Sequence, residues 1–311
     1  MNIVGLFDGI STGRYCLDKA GIQVDNYFSS EIDSNAIKIS EKNYPDIIRL
    51  GDVPKVKAED LPKIDLLIGG SPCQGFSRAG KCLNFDDPRS KLFFEYVRIL
   101  NEIREYNPDV KFFLENVKMK TERARVISDT LGVEPIEVNS KILSPQNRLR
   151  MYWTNIPVSE FDITDPPLSS ILEDVDTTGF IEKDGILFDP TISEASRNLV
   201  TVVDGEIRVS QSVKKGYIVA NDGDGISLAF PTSKTRRGRV VSKKSSCLDC
   251  ACDIAVLHNG AIRRFTITEM ERLQTLPDGY TEGVSDSARK SAIGNGWTTD
   301  VIAHFFKGLK L

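Results

Sequence analysis

The first half of the chain alternates short apolar runs with longer stretches whose apolar positions recur at helical spacing. The runs at residues 2–6, 26–30, 47–50, 64–68, 111–114, 137–143 and 149–153 are bounded by polar or turn residues, which predicts strands. Between them, 34–43 and 90–106 predict helices. In the second, Leu92, Phe93, Tyr96, Val97, Leu100 and Ile103 share one face and Ser90 stands where a cap would. Strands alternating with helices predict an α/β fold with a doubly wound, mostly parallel sheet carrying helices on both faces. In such sheets ligands sit at the carboxyl ends of the strands.

From Pro157 to about Ile262 the pattern changes. Acidic residues come first (Glu160, Asp162, Asp165, Glu173, Asp174, Asp176), then short strand-like pieces with turn signals such as NDGDG at 221–225. The run SKTRRGRVVSKK at 233–244 contains no acid and by itself reads as a solvated hairpin. Beyond Arg263 helical patterns return over 268–276, 285–293 and 298–309, with Thr268 as a cap and Glu271 three residues on. The predicted organisation is one domain from residues 1–156 and 263–311, interrupted by a smaller, mainly β domain at 157–262.

Charge and cysteine usage narrow the chemistry. A net charge of -4 does not announce a polyanion partner, so any basic surface is local. No apolar run reaches the roughly 18 residues a membrane helix needs, and MNIVGLF begins as a strand rather than a signal sequence, so a cytoplasmic protein is expected. The six cysteines are too sparse for a disulfide scaffold. The two histidines, His258 and His304, lie in no metal-binding or hydrolase frame.

Two turns carry candidate chemistry. LFDGISTG at 6–13 reads as strand, glycine-bearing turn and helix, with Glu31 ending the next strand about 20 residues on, a spacing that cradles a nucleotide and catches its ribose. Asp52 after the third strand is placed to read an adenine edge. GGSPCQGFSRAG at 69–80 delivers Cys73 just past an apolar strand, as a structural thiol, half of a metal site or a nucleophile. CLDCACD at 247–253 is CxxCxC without a fourth ligand at standard spacing, so a strand with alternating small residues is preferred to zinc. A zinc cytidine deaminase would need HxE and PCxxC, and Phe76 stands where its second cysteine belongs.

The order of five motifs then matters: PCQ at 72–74, ENV at 115–117, QNRLR at 146–150, RLQTLPD at 272–278 and IGN at 293–295. In that order the chain resembles the DNA (cytosine-5)-methyltransferase family. LFDGISTG and the pair Gly296, Trp297 look most like the animal de novo group and small phage or bacterial enzymes. The resemblance implies the Rossmann-like methyltransferase fold, S-adenosylmethionine as cofactor and S-adenosylhomocysteine as product. It implies Cys73, braced by Pro72, as the thiolate that adds to carbon 6 of cytosine, with Glu115 at the ring edge and Arg148 and Arg150 steadying the base. It places the cofactor against Phe7, Asp8, Gly9, Ile10, Ser11, Thr12, Glu31, Ile32, Asp52, Val53, Leu92, Asn295 and Trp297. No metal is implied.

The same resemblance makes double-stranded DNA the partner, with the target base flipped out because its carbon 5 is inaccessible in a duplex. Gln74, Ser77 and Arg78 would face DNA from the loop after Cys73. Lys234, Arg236, Arg237, Arg239, Lys243 and Lys244 would contact it from the middle segment, with binding that weakens as salt rises. A monomer or weak dimer in a bacterial or phage-infected host is expected, with a cognate restriction endonuclease as a further partner or as a stand-alone modification enzyme. An RNA cytosine methyltransferase, or a silent DNA-binding module of the same fold, remains as the alternative.

Overall fold

The computed structural model describes residues 1–71, 88–235, 237–250 and 254–310. Its main sheet contains β1 (Asn2–Leu6), β2 (Asn26–Ser30), β3 (Ile48–Arg49), β4 (Leu66–Gly69), β5 (Lys111–Val117), β6 (Ile136–Asn139) and β7 (Leu149–Thr154). Their order is β3-β2-β1-β4-β5-β7-β6. The first five strands are mutually parallel, and β7 runs antiparallel to both β5 and β6. After β3 the chain crosses back to place β4 on the free side of β1, and the winding reverses there. The carboxyl ends of β1 and β4, with Leu6 opposite Gly69, therefore open the crevice in which such folds bind ligands.

Helices cover both faces, as the alternation predicts. Val4, Leu6, Leu67, Phe112 and Leu114 pack under α3 (Pro88–Tyr106) and α4 (Thr121–Leu131). The alternate residues Ile3, Leu66, Ile68 and Phe113 pack against α1 (Thr12–Lys19) and the helix Thr299–Lys307 on the other face. The remaining helices are α2 (Ser34–Asn43), α5 (Glu194–Arg197), α6 (Ile267–Leu273) and α7 (Asp286–Asn295), which makes Thr299–Lys307 α8. Among the strands buried on both faces, β1 and β4 read as near-continuous apolar runs and are for that reason visible in the sequence.

Several boundaries differ from expectation for local reasons. The strand expected over 137–143 stops at Asn139, whose side chain accepts from the Lys141 N–H and starts a 3₁₀ turn at Ser140–Ile142. Helix α3 begins at Pro88, so Ser90 lies inside it rather than capping it. The pattern T-x-x-E occurs twice before α6, and the cap is Thr266 with Glu269, not Thr268 with Glu271. Glu271 is buried and accepts from the Gly279 and Thr281 N–H groups, so it cannot reach back to cap. Residues 247–250 form no strand, and residues 251–253 of that run lie outside the described residues.

The segment between β7 of the main sheet and α6 carries β8 (Ile181–Lys183), β9 (Ile186–Phe188), β10 (Val200–Val203), β11 (Glu206–Ser210), β12 (Tyr217–Ala220), β13 (Gly225–Ser227), β14 (Arg239–Val241), β15 (Ala255–His258) and β16 (Ala261–Arg264). They form a three-stranded sheet, β10-β11-β12, and a six-stranded sheet, β14-β13-β15-β16-β9-β8, over a core that includes Phe188, Val200, Val209, Leu257 and Ile262. Within the run 233–244, residues 233–235 and 237–238 belong to the connection between β13 and β14, and Arg239–Val241 is the second strand of that hairpin.

Candidate active site

The chain leaves β1 and enters α1 through a turn in which Phe7, Gly9 and Ser11 all adopt left-handed backbone (φ 54°, 56° and 57°). Glycine takes this conformation freely, whereas Phe7 and Ser11 do so at a cost of about 1 kcal/mol or more each. Side-chain bonds hold them there. The Asp8 carboxylate accepts from the Tyr27 hydroxyl (2.6 Å), the Ser11 hydroxyl (2.6 Å) and the Ser29 hydroxyl (2.7 Å). Burial pushes the Asp8 carboxyl up, and these hydroxyls and the Arg49 charge oppose the shift. Glu31, at the end of β2, accepts from the N–H groups of Gly9 (2.8 Å), Ile32 (2.7 Å) and Asp33 (2.8 Å).

The catalytic candidates come from β5 and β7. Arg150 lies opposite Val117 in the antiparallel ladder and is therefore a same-face diagonal neighbour of Glu115. Arg150 Nε meets Glu115 Oε1 at 3.0 Å, with both side chains mostly buried. Burial is the largest influence on Arg150 and opposes its charge, but the Glu115 carboxylate, Cys247 and Tyr152 together outweigh it and the guanidinium pKa is raised. The side chain of Asn116 points the other way and donates to the carbonyl and hydroxyl of Ser71 (both 3.2 Å). It thereby ties β5 to the residue two positions before Cys73.

Arg148 has a different task from its neighbour. Its guanidinium is buried and donates to the carbonyls of Leu248 (2.9 Å), Gly294 (3.3 Å) and Gly296 (2.8 Å), and to Cys247 Sγ (3.4 Å). Two of these carbonyls close the C-terminal end of α7, where a cation complements the helix dipole. Desolvation, and then the nearby Arg150 charge, lowers its pKa. Gln146 and Gln274 complete the support. Gln146 Nε2 donates to Leu273 O and Gln274 Oε1, and Gln274 Nε2 donates to Ile293 O and Gly296 O. These bonds join three of the sequence motifs, a role that the motifs alone do not disclose.

These elements enclose a cavity of about 680 Å³. Its wall brings together Phe7, Asp8, Gly9, Ile10, Thr12, Glu31, Asn295 and Trp297 from the expected cofactor set with Glu115, Arg148 and Arg150 from the expected catalytic set. Ser11 is buried behind the wall and Ile32 is 72% exposed beside it. Asp52, Val53 and Leu92 do not line the cavity; Val53 belongs to the core under α3. A β-carbon on Gly70 would meet Trp297 Nε1 at 3.2 Å and Glu115 Oε2 at 3.3 Å, so this glycine keeps the passage between them open. Pro72, Cys73, Gln74, Ser77, Arg78 and Arg236 lie outside the described residues.

In the basic run, Lys234, Arg239 and Lys243 are exposed and Arg237 is half-buried. Lys244 differs: its ammonium pairs with Asp165 at 3.0 Å and donates to the carbonyls of Lys141 and Pro166. Lys214 and Lys215, exposed in the β11–β12 turn, extend the same basic surface, because the Ser212 hydroxyl donates to Lys234 O (2.9 Å) and brings that turn against the run. Their adjacency in sequence was the available signal.

The family model for C-5 cytosine-specific DNA methylases matches residues 1–310. The chain belongs to this family. It is 31% identical over 310 residues to the Type II methyltransferase M1.ScrFI of Lactococcus lactis subsp. cremoris, covering 94% of this chain and 74% of that one. To the Type II methyltransferase M.HpaII of Haemophilus parainfluenzae it is 30% identical over 315 residues, covering 94% and 84%. The solved structure of the Entamoeba histolytica methyltransferase EhMeth superposes with a TM-score of 0.67 at 17% identity, covering 99% of this chain and 97% of that one, which shows the shared fold.

The residues present fit the nucleoside-bearing cofactor that this family generally uses. A carboxylate offers about four acceptor sites, and Glu31 fills three with backbone N–H groups, which leaves one for a ribose hydroxyl. A cavity of this volume also lies in the range that holds small-molecule ligands. Among the described residues, no group of three or more His, Cys, Asp or Glu side chains could hold a metal, and no helix is long and apolar enough to cross a membrane.

Proposed function

We propose that the protein methylates carbon 5 of a cytosine flipped out of double-stranded DNA, through a transient bond between Cys73 and carbon 6, as a modification enzyme. The observation that carries this reading is the shared cavity. It joins the Glu31 first-turn cradle to the Glu115–Arg150 pair, and its rim includes Ser71, two residues before Cys73 in the chain. The names of M1.ScrFI and M.HpaII, both Type II methyltransferases, support a role beside a restriction endonuclease.

S-adenosylmethionine, when bound, supplies an electrophilic methyl group. The protein has to make carbon 5 nucleophilic. Addition of the Cys73 thiolate to carbon 6 would form a sulfur–carbon bond and move an electron pair to carbon 5. Carbon 5 would then take the methyl group as the methyl's bond to the sulfonium breaks and S-adenosylhomocysteine leaves. Loss of the carbon-5 proton and expulsion of the thiolate restore the ring. Glu115 Oε1 is held by Arg150, while Oε2 has no hydrogen-bond partner among the described residues and faces the cavity beside Gly70. In this reading that oxygen accepts from the exocyclic amine of the base and from N3 once N3 carries a proton. Arg150 balances the charge that develops there.

Nucleoside mass spectrometry of DNA incubated with the protein and S-adenosylmethionine tests this. Wild type should yield 5-methylcytosine and Cys73→Ala none, with S-adenosylhomocysteine binding retained in the variant. Methylation of RNA alone would reassign the substrate, and methylation that survives Cys73→Ala would overturn the covalent mechanism.

A further inference from the structure

Arg49, at the carboxyl end of β3, belongs to none of the motifs and lines none of the cavity, yet it is joined to the first turn by a closed ring of polar side chains. In one arm, Arg49 Nη1 donates to Ser29 Oγ (3.1 Å), which donates to Asp8 Oδ2 (2.7 Å). In the other, Arg49 Nη2 donates to Ser40 Oγ (2.8 Å), Ser40 bonds Ser11 Oγ, and Ser11 donates to Asp8 Oδ2 (2.6 Å). The donor direction is the same along both arms, from cation to carboxylate. Ser11, Ser29 and Ser40 are all fully buried, so water does not compete for these bonds.

We infer that Arg49 is a positioning residue for the cofactor: through Ser29 and Ser40 it holds Asp8 and Ser11, and hence the left-handed turn that carries Phe7, Gly9 and Ile10 into the cavity wall. The inference rests on the cofactor reading given above. Two observations and one principle support it. Ser11 holds left-handed backbone without being glycine, and both its hydroxyl partners belong to the ring. Gly5 leaves room for Asp8, since a β-carbon there would stand 2.5 Å from Asp8 Oδ1. Aligned hydrogen bonds in a water-free site reinforce one another, so removing the cation weakens both arms together. The other groups facing Arg49 are the Ile37 carbonyl (3.5 Å) and Glu41 (3.9 Å from Nε), and neither touches the turn.

Calorimetric titration with S-adenosylhomocysteine tests this without any turnover. Arg49→Met should bind it about tenfold more weakly than wild type, the effect of losing hydrogen bonds to a charged group. Ser40→Ala should weaken binding by a smaller factor. The double variant should be no weaker than Arg49→Met beyond about twofold, because Ser40 acts through the same ring; a residue that merely stabilised the fold would not couple to Ser40 in ligand affinity. Wild-type affinity in folded Arg49→Met overturns the inference. If Arg49→Met does not fold, unchanged affinity in Ser40→Ala overturns it instead. Failure of the wild-type protein to bind S-adenosylhomocysteine would overturn the cofactor reading itself.

Discussion

Around the cavity, charged side chains are turned inward and engaged: Arg148 on three carbonyls and Asp8 on three hydroxyls. Along the 233–244 run the opposite holds, and Lys234, Arg239 and Lys243 stand in solvent. Lys244, the last residue of that run, sides with the first group because Asp165 and two carbonyls occupy its ammonium. The contrast separates charge that builds a site from charge available to a partner. Residue type alone does not make that separation, since both groups contain arginine and lysine.

The largest effect should follow from breaking the inward set. Arg148→Met removes the donor from Leu248, Gly294 and Gly296 and should destabilise the protein by about 3 kcal/mol, roughly the cost of leaving buried carbonyls unpaired. Lys234→Ala with Arg239→Ala should stay within about 0.5 kcal/mol of wild type, as exposed substitutions do. Denaturant midpoints measure both. Equal stability of the two variants would erase the distinction.

The same distinction explains how much was legible in the sequence. Strands β1, β4 and the start of β5 were visible because central parallel strands buried on both faces read as apolar runs, whereas β2 (NYFSS) and the edge strand β3 are more polar. Glu115 and Arg150 were found through their motifs, and the β5–β7 register explains why those motifs meet. The work of Arg148, Gln146 and Gln274 was hidden, because their partners are mostly backbone carbonyls remote in sequence, and a carbonyl has no residue type. Thr266 was missed in favour of Thr268 because both fit T-x-x-E, and only the burial of Glu271 decides between them. The short strands of residues 181–264 show half-buried alternation too brief to fix register from sequence, so that segment read only as mainly β.

A smaller effect belongs to the outward set. If Lys234 and Arg239 meet phosphates, the double variant should lower the slope of log affinity against log salt by roughly 2, about 0.9 for each phosphate no longer neutralised. Lys244→Ala should leave that slope unchanged while altering stability, because its charge is already paired within the protein. Fluorescence anisotropy with labelled duplex across a salt series would show it. A fall in slope for Lys244→Ala equal to that of an exposed lysine would move Lys244 to the outward set.

The smallest effect is a pH dependence seated at Asp8. Its carboxyl is raised above the ordinary value of 3.8, first by burial, despite the hydroxyls and Arg49 that favour the charged form. Between the ordinary value and the raised one, the folded chain keeps a proton that the unfolded chain has released. The Asp8 contribution to stability is therefore fully present below the ordinary value and is lost as pH rises through the raised one, with a slope no steeper than about 1.4 kcal/mol per pH unit. Asp8→Asn removes that titration, so wild type should lose ground relative to the variant as pH rises, a trend that denaturation curves from about pH 4 to about pH 7 would reveal. An offset between the two proteins that does not change with pH would mean that the ring compensates the burial of Asp8 completely. Wild type gaining on the variant instead would mean that the ring outweighs burial, which would make Asp8 and Arg49 a net stabilising pair rather than strain held in place for the cofactor.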